Sequence, residues 1–200
     1  MARPVSPLLN RKKIAHAAIE MIDAGHELKI QPLAKKLGVS LSSLYHHVDG
    51  RDGIVHAMRE VLSSEYEFTP PSDPTWKAAL RAGVSTLWRL YSDHPRVMIH
   101  LLGVTIHEPE TLRLYESLVA QLRQAGLPEE EILTTLEVLD AFAFGVALDA
   151  LSPAKIFAPE GPESPMADLL QGHPTGRERN ERLYERGLDI IIAGIESRVP

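Results

Sequence analysis

A chain of 200 residues without cysteine has no disulfide framework and no thiolate metal site, and its 44% apolar and 24% charged shares exclude disordered and collagen-like classes. No apolar run approaches the roughly 20 residues that span a bilayer, and the opening Met-Ala-Arg-Pro-Val-Ser-Pro lacks the apolar segment of a secretory signal, so no membrane partner and a cytoplasmic location are expected. The net charge of −6 argues against a nucleic-acid partner until its distribution is read: residues 1–62 hold nine Lys/Arg against six Asp/Glu, and residues 63–200 hold 12 against 21. A basic end on an acidic body suits a protein that presents one face to phosphates.

Nearly every segment reads as helix. Residues 10–24 carry Ile14, Ala17, Ala18, Met21 and Ile22 at 3–4 spacing, with Asn10 as cap and Gly25 as stop. A second helix is predicted from about Pro32 to Leu37, a third over 41–47 and a fourth over 51–65; Thr-Pro-Pro-Ser-Asp-Pro at 69–74 then reads as a linker. Beyond it, Trp76, Leu80, Val84, Leu87 and Tyr91 form one stripe ended by His94-Pro95, followed by a short helix near 96–102 and another over 109–124. The helix at about 128–151 and the last, at about 179–198, are apolar on most faces, which calls for cover on more than one side. A second copy of the chain is the expected cover. Residues 153–178, rich in Pro and Gly, read as a long loop with one turn of helix near 166–170.

Residues 33–51 carry the most information. Leu33, Leu37, Val39, Leu44 and Val48 supply a buried seam, Ala34 permits close approach, Gly38 suits a left-handed turn, and Ser40 is placed to cap the next helix. Small residue, turn glycine and paired apolar positions together make a helix-turn-helix, whose second helix enters a DNA groove.

This head resembles the DNA-binding domain of the tetracycline-repressor-type family of bacterial transcription regulators. The carrying residues are Ile14, Ala17 and Ala18, the run Leu33-Ala34 to Leu37-Gly38-Val39-Ser40, and Ser43-Leu44-Tyr45-His46-His47-Val48 leading into Gly50-Arg51-Asp52. Ala141–Leu148 and Tyr184–Glu196 are similar to the two dimer-forming helices of the tetracycline-repressor class. The resemblance implies an all-α homodimer: a helix-turn-helix domain over 1–65, a linker at about 66–74, and a helical ligand-binding and dimerisation domain over 75–200. It further implies a repressor of a palindromic double-stranded DNA operator, released by a small-molecule inducer. The alternative is a small-molecule-binding or dimerisation module whose DNA head no longer works.

By the same resemblance, Ser43, Tyr45, His47 and Arg51 match phosphate-gripping positions, with Arg11 and Lys29 added to the DNA-facing set. Gln31, Leu41, Ser42 and His46 match positions near base edges; a glutamine can pair bidentately with adenine and a leucine can meet a thymine methyl. Lys29 stands where the family usually has a threonine cap. In the body, Leu80, Leu87, Trp88, His100, Tyr115, Phe142 and Asp149 are the candidate effector lining. His100 and Asp149 fall near positions where tetracycline-binding relatives hold a magnesium–drug complex, but Gly83 and Leu87 replace drug-contacting amide and aromatic side chains, so tetracycline itself is not expected.

His94, His100, His107 and Glu108 are capable of binding metal, yet they form no compact i, i+4 pair and Pro95 and Pro109 interrupt them, so no metal site and no cofactor beyond the effector is assigned. An enzyme is not expected: there is no nucleophile motif, glycine-rich phosphate loop or paired Glu-x-x-His.

Overall fold

The computed structural model describes residues 9–66, 68, 75–161 and 163–199, and among these it contains ten helices and no strand. The proposed linker at 69–74 lies outside the described residues. Packing divides the chain into two compact units. One joins the described residues of Met1–Glu67 with Arg96–Leu114; the other joins Phe68–Pro95 with Tyr115–Pro200.

In the first unit, α1 (Arg11–Asp23) begins where the Asn10 side chain accepts the Lys13 N–H at 2.9 Å and buries Ile14, Ala18, Met21 and Ile22. Helix α2 (Ile30–Leu37) starts two residues earlier than its proline suggested, because Pro32 then occupies the first turn, where no N–H is needed. Lys29 precedes it with no side-chain cap. Gly38 takes φ 68°, a conformation a Cβ would make costly, and its turn delivers Ser40, whose hydroxyl accepts the Ser43 N–H at 3.1 Å.

Helix α3 is only Leu41–Tyr45, shorter than the 41–47 expected, since the His47 N–H turns in to the Leu44 carbonyl at 3.0 Å and tightens the last turn. The expected seam is deepest at Leu33, Leu44 and Val48; Leu37 and Val39, at the turn itself, are half-buried. Helix α4 (Gly50–Glu65) lies against α1 and buries Ile54, Val55, Met58 and Leu62.

Helix α6 (Pro95–Leu101) and the first residues of α7 (Pro109–Ala125) complete this unit, held to α4 by a buried ion pair. The Arg59 guanidinium donates to both Glu108 carboxylate oxygens, at 3.1 and 3.2 Å, and to the carbonyls of Leu101, Val104 and Thr105. His56 Nδ1 stands 2.6 Å from Glu108 Oε1. The two charged side chains are 6% and 2% exposed, and both terminal nitrogens of the guanidinium donate to protein acceptors. Burial alone would raise the Glu108 carboxyl; hydrogen bonds from His56, the backbone and Arg59 outweigh it and hold the group below its ordinary range.

The second unit is built on α5 (Trp76–Asp93), α8 (Glu129–Asp149), α10 (Gly176–Glu196), the rest of α7, and a short α9 (Pro165–Leu170). Thr75 caps α5 through its side chain. Helix α10 starts three residues before the expected 179, with Gly176 at φ 56°. Asn180 donates to the Val146 carbonyl at 2.6 Å and to Asp149, tying α10 to α8. Close approach of these helices needs Gly187, where a Cβ would strike the Phe142 ring.

Two outcomes follow from this packing. Glu108→Ala leaves Arg59 buried without its counter-ion and costs about 3 kcal/mol or more in urea unfolding near neutral pH. Because the folded carboxyl lies below its unfolded value of about 4.3, its contribution is complete above that value and is lost as pH falls through the folded one. The gap between wild type and variant therefore narrows in acid. Gly187→Ala gains about 1 kcal/mol of helix propensity but overpacks against Phe142 at a cost of about 1–3 kcal/mol, so the thermal midpoint falls.

Candidate functional site

The outer side of the helix-turn-helix is set by where Leu44 and Val48 must point. With both buried, Leu41, Ser42, Tyr45 and His46 turn outward, and Tyr45 is 51% exposed. Ser43 and His47 are half-buried on its flank. Gln31, in the first turn of α2, is exposed, as is Lys29, which stands 2.6 Å from Glu27. The first unit thus exposes Gln31 at the start of α2 and the polar residues of α3.

Like Lys29, the other two expected cations already have partners within the unit. Arg11 donates to both Glu60 oxygens, at 3.0 and 3.4 Å, and to the His47 carbonyl at 3.4 Å. Arg51 Nη2 is 3.0 Å from His100 Nδ1. Burial, then the neighbouring Arg51 charge, pushes the His100 imidazole below its usual pKa, which favours a neutral ring accepting from the guanidinium.

The expected effector residues do not all share a unit. His100 is in the first, while Leu80, Leu87, Trp88, Tyr115, Phe142 and Asp149 are in the second. Leu80 and Leu87 are buried core residues on α5. Trp88 stacks on Tyr184 with ring centroids 4.0 Å apart and an interplanar angle of 7°, and Phe142 lies 6.0 Å from the same tyrosine. Asp149 is engaged by Arg179 at 2.7 Å and by Asn180 at 3.1 Å. Both partners come from its own chain.

Sequence reading missed a polar cluster in the second unit. Tyr91 and Tyr115 both donate to Asp140 Oδ1, at 2.6 and 2.9 Å, and their hydroxyls are 3.1 Å apart. Burial above all, with Tyr115 and Asp140 beside it, pushes the Tyr91 phenol well above its ordinary range and keeps it protonated. A lone acid between Leu139 and Ala141 was the available signal. Among the described residues, Trp88 Nε1 and Ser92 Oγ on α5 are buried without hydrogen-bond partners. Each such group carries a penalty of about 1–3 kcal/mol, which an acceptor or donor from a bound molecule would relieve. Also unforeseen was His56, which His107 and Glu108 meet across more than 50 residues of sequence.

Comparison with known proteins gives a consistent picture. Residues 69–199 match the family model described as tetracyclin repressor-like, C-terminal domain. The chain is similar to a helix-turn-helix-type transcriptional repressor of Mycobacterium tuberculosis, 27% identical with 92% of this chain and 79% of the relative covered. It is also similar to the class D tetracycline repressor protein of Escherichia coli, at 25% identity with 94% and 89% covered. Among solved structures, the TetR family protein ActR of Streptomyces coelicolor in complex with actinorhodin superposes with a TM-score of 0.77 at 24% identity, covering 95% of this chain and 98% of that one. These relatives regulate transcription and are not enzymes, and no described helix here is long and apolar enough to cross a membrane. An all-helical chain with a capped helix-turn-helix at one end and this C-terminal match belongs to the tetracycline-repressor-like family of transcriptional regulators.

Proposed function

We propose that the protein is a ligand-responsive repressor that binds a palindromic DNA operator as a homodimer and leaves it when a small molecule occupies its body. The observation that carries this reading is the exposed polar side of α3, presented by a helix-turn-helix whose seam residues Leu33, Leu44 and Val48 are buried. Residues 1–65 form the reading head and 75–200 the ligand-binding and dimerising part. Tyr45, Ser43, His47, Lys29, Arg11 and Arg51 grip phosphates; Gln31, Leu41, Ser42 and His46 face base edges. Arg11 and Arg51 must exchange Glu60 and His100 for phosphate oxygens, so they contribute less than freely exposed cations would.

The homodimer reading rests on what α8 and α10 leave uncovered. Leu133 and Val138 on α8 are 67% and 49% exposed, and Leu183 and Ile190 on α10 are 43% and 58% exposed. Ala141, Gly145, Ala193 and Gly194 extend the same surfaces with small residues that allow backbones to approach. Four large apolar side chains open to water on adjoining helices suit association with an identical face. The effector is a mostly apolar small molecule bound within the second unit near Leu80, Leu87, Trp88, Tyr115 and Phe142, with Asp149 at its margin. The unpaired Trp88 N–H and Ser92 hydroxyl favour one that carries polar acceptors. No cofactor is needed for this reading, and a soluble cytoplasmic regulator is its natural setting.

Mobility shift with DNA from upstream of the protein's own gene tests the whole. Tyr45→Phe lowers affinity several-fold for every sequence, because it removes one phosphate hydrogen bond. Gln31→Ala lowers affinity for the operator and relaxes preference at one base pair, worth about 1–3 kcal/mol of discrimination. Equal loss on operator and random DNA would discard base reading by Gln31. Ile190→Glu yields monomers in sedimentation and abolishes site-dependent binding; an unaltered dimer would place the interface elsewhere.

A further inference from the structure

Among the described residues, one group of metal-capable side chains stands out, and it belongs neither to the DNA face nor to the effector lining. His56 of α4, and His107 and Glu108 just before α7, place one ligand atom each within 4.8 Å of one another. We propose that these three residues bind a divalent transition metal of borderline softness, of the Zn²⁺, Co²⁺ or Ni²⁺ type. Two imidazoles and one carboxylate with a free fourth position suit such ions, and hard oxygen-seeking cations poorly.

The carboxylate is already oriented for the task. Glu108 Oε2 accepts from Arg59 at 3.1 Å and from the His107 backbone N–H at 3.2 Å, which fixes the group and turns Oε1 toward His56 Nδ1 at 2.6 Å. The metal takes the place of the proton shared across that short contact, and the proton passes to solvent. The Arg59 charge, 3.2 Å from Oε1, opposes a second cation, so a readily reversible site is expected and not a permanently filled one.

His107 separates this reading from a plain ion pair. The Arg59–Glu108–His56 arrangement is complete without it, yet its exposed imidazole sits with its centroid 4.0 Å from that of His56, tilted by 43°. All three ligands lie in the first compact unit, so the ion would cross-link α4 to the turn before α7.

The test is titration of tag-free full-length protein with Co²⁺, read by its visible absorption and by calorimetry, followed by displacement with Zn²⁺. One ion per chain is expected, with coloured, low-symmetry coordination that Zn²⁺ bleaches. His107→Ala, at an exposed position that folding does not need, should weaken binding by about tenfold or more, and His56→Gln likewise, while His26→Ala leaves it unchanged. Absence of a saturable site in the wild type overturns the proposal. So does binding by His107→Ala and His56→Gln that matches the wild type, since the ion would then sit on other histidines.

Discussion

The arginine at position 59 must be taken out of water for α4 to pack, and residues 101–108 are arranged around that demand. A guanidinium cannot shed its proton to escape burial, so the fold has to supply a carboxylate and enough carbonyls to replace its hydration. It draws them from α6 and from the residues just before α7. The result is that a segment far along the chain, Arg96–Leu114, belongs by packing to the first four helices. Such a pair adds little net stability over a well-packed apolar alternative, but it tolerates no single missing partner. Its worth lies in specifying one position for α6 relative to α4.

Much of the fold was legible because it is local. Asn10 and Ser40 cap the helices they precede, Gly25 and Gly38 take left-handed turns at the ends of α1 and α2, and the seam residues Leu33, Leu44 and Val48 are buried as their spacing requires. Each of these depends on neighbours within four residues. Boundaries slipped where local geometry allowed two answers: α3 closes at Tyr45 because a tighter hydrogen bond competes with another helical turn, and Gly176 admits an earlier start for α10.

What could not be read was whatever depends on distant partners. His107 and Glu108 were noticed, but nothing in their spacing points to His56 or Arg59 some fifty positions earlier. Asp140 reads as an ordinary break in an apolar helix until two tyrosines from α5 and α7 converge on it. The DNA-facing set was legible as a list of positions, since α3 is amphipathic and its buried side is unambiguous. The commitments of Arg11 and Arg51 to Glu60 and His100 were not, because a cation on a basic head looks available in sequence whether or not an acceptor waits beside it.

The distance between Arg59 and its carboxylate also has a bearing on how the protein is made. Synthesis delivers the four helices of the reading head well before Glu108 leaves the ribosome. During that interval the guanidinium on the inner side of α4 keeps its hydration, which residues 101–108 later replace. The contacts that cover Arg59 are therefore completed only once residues 101–108 have been made. The head reaches its final packing only after the chain has passed through the body once and returned.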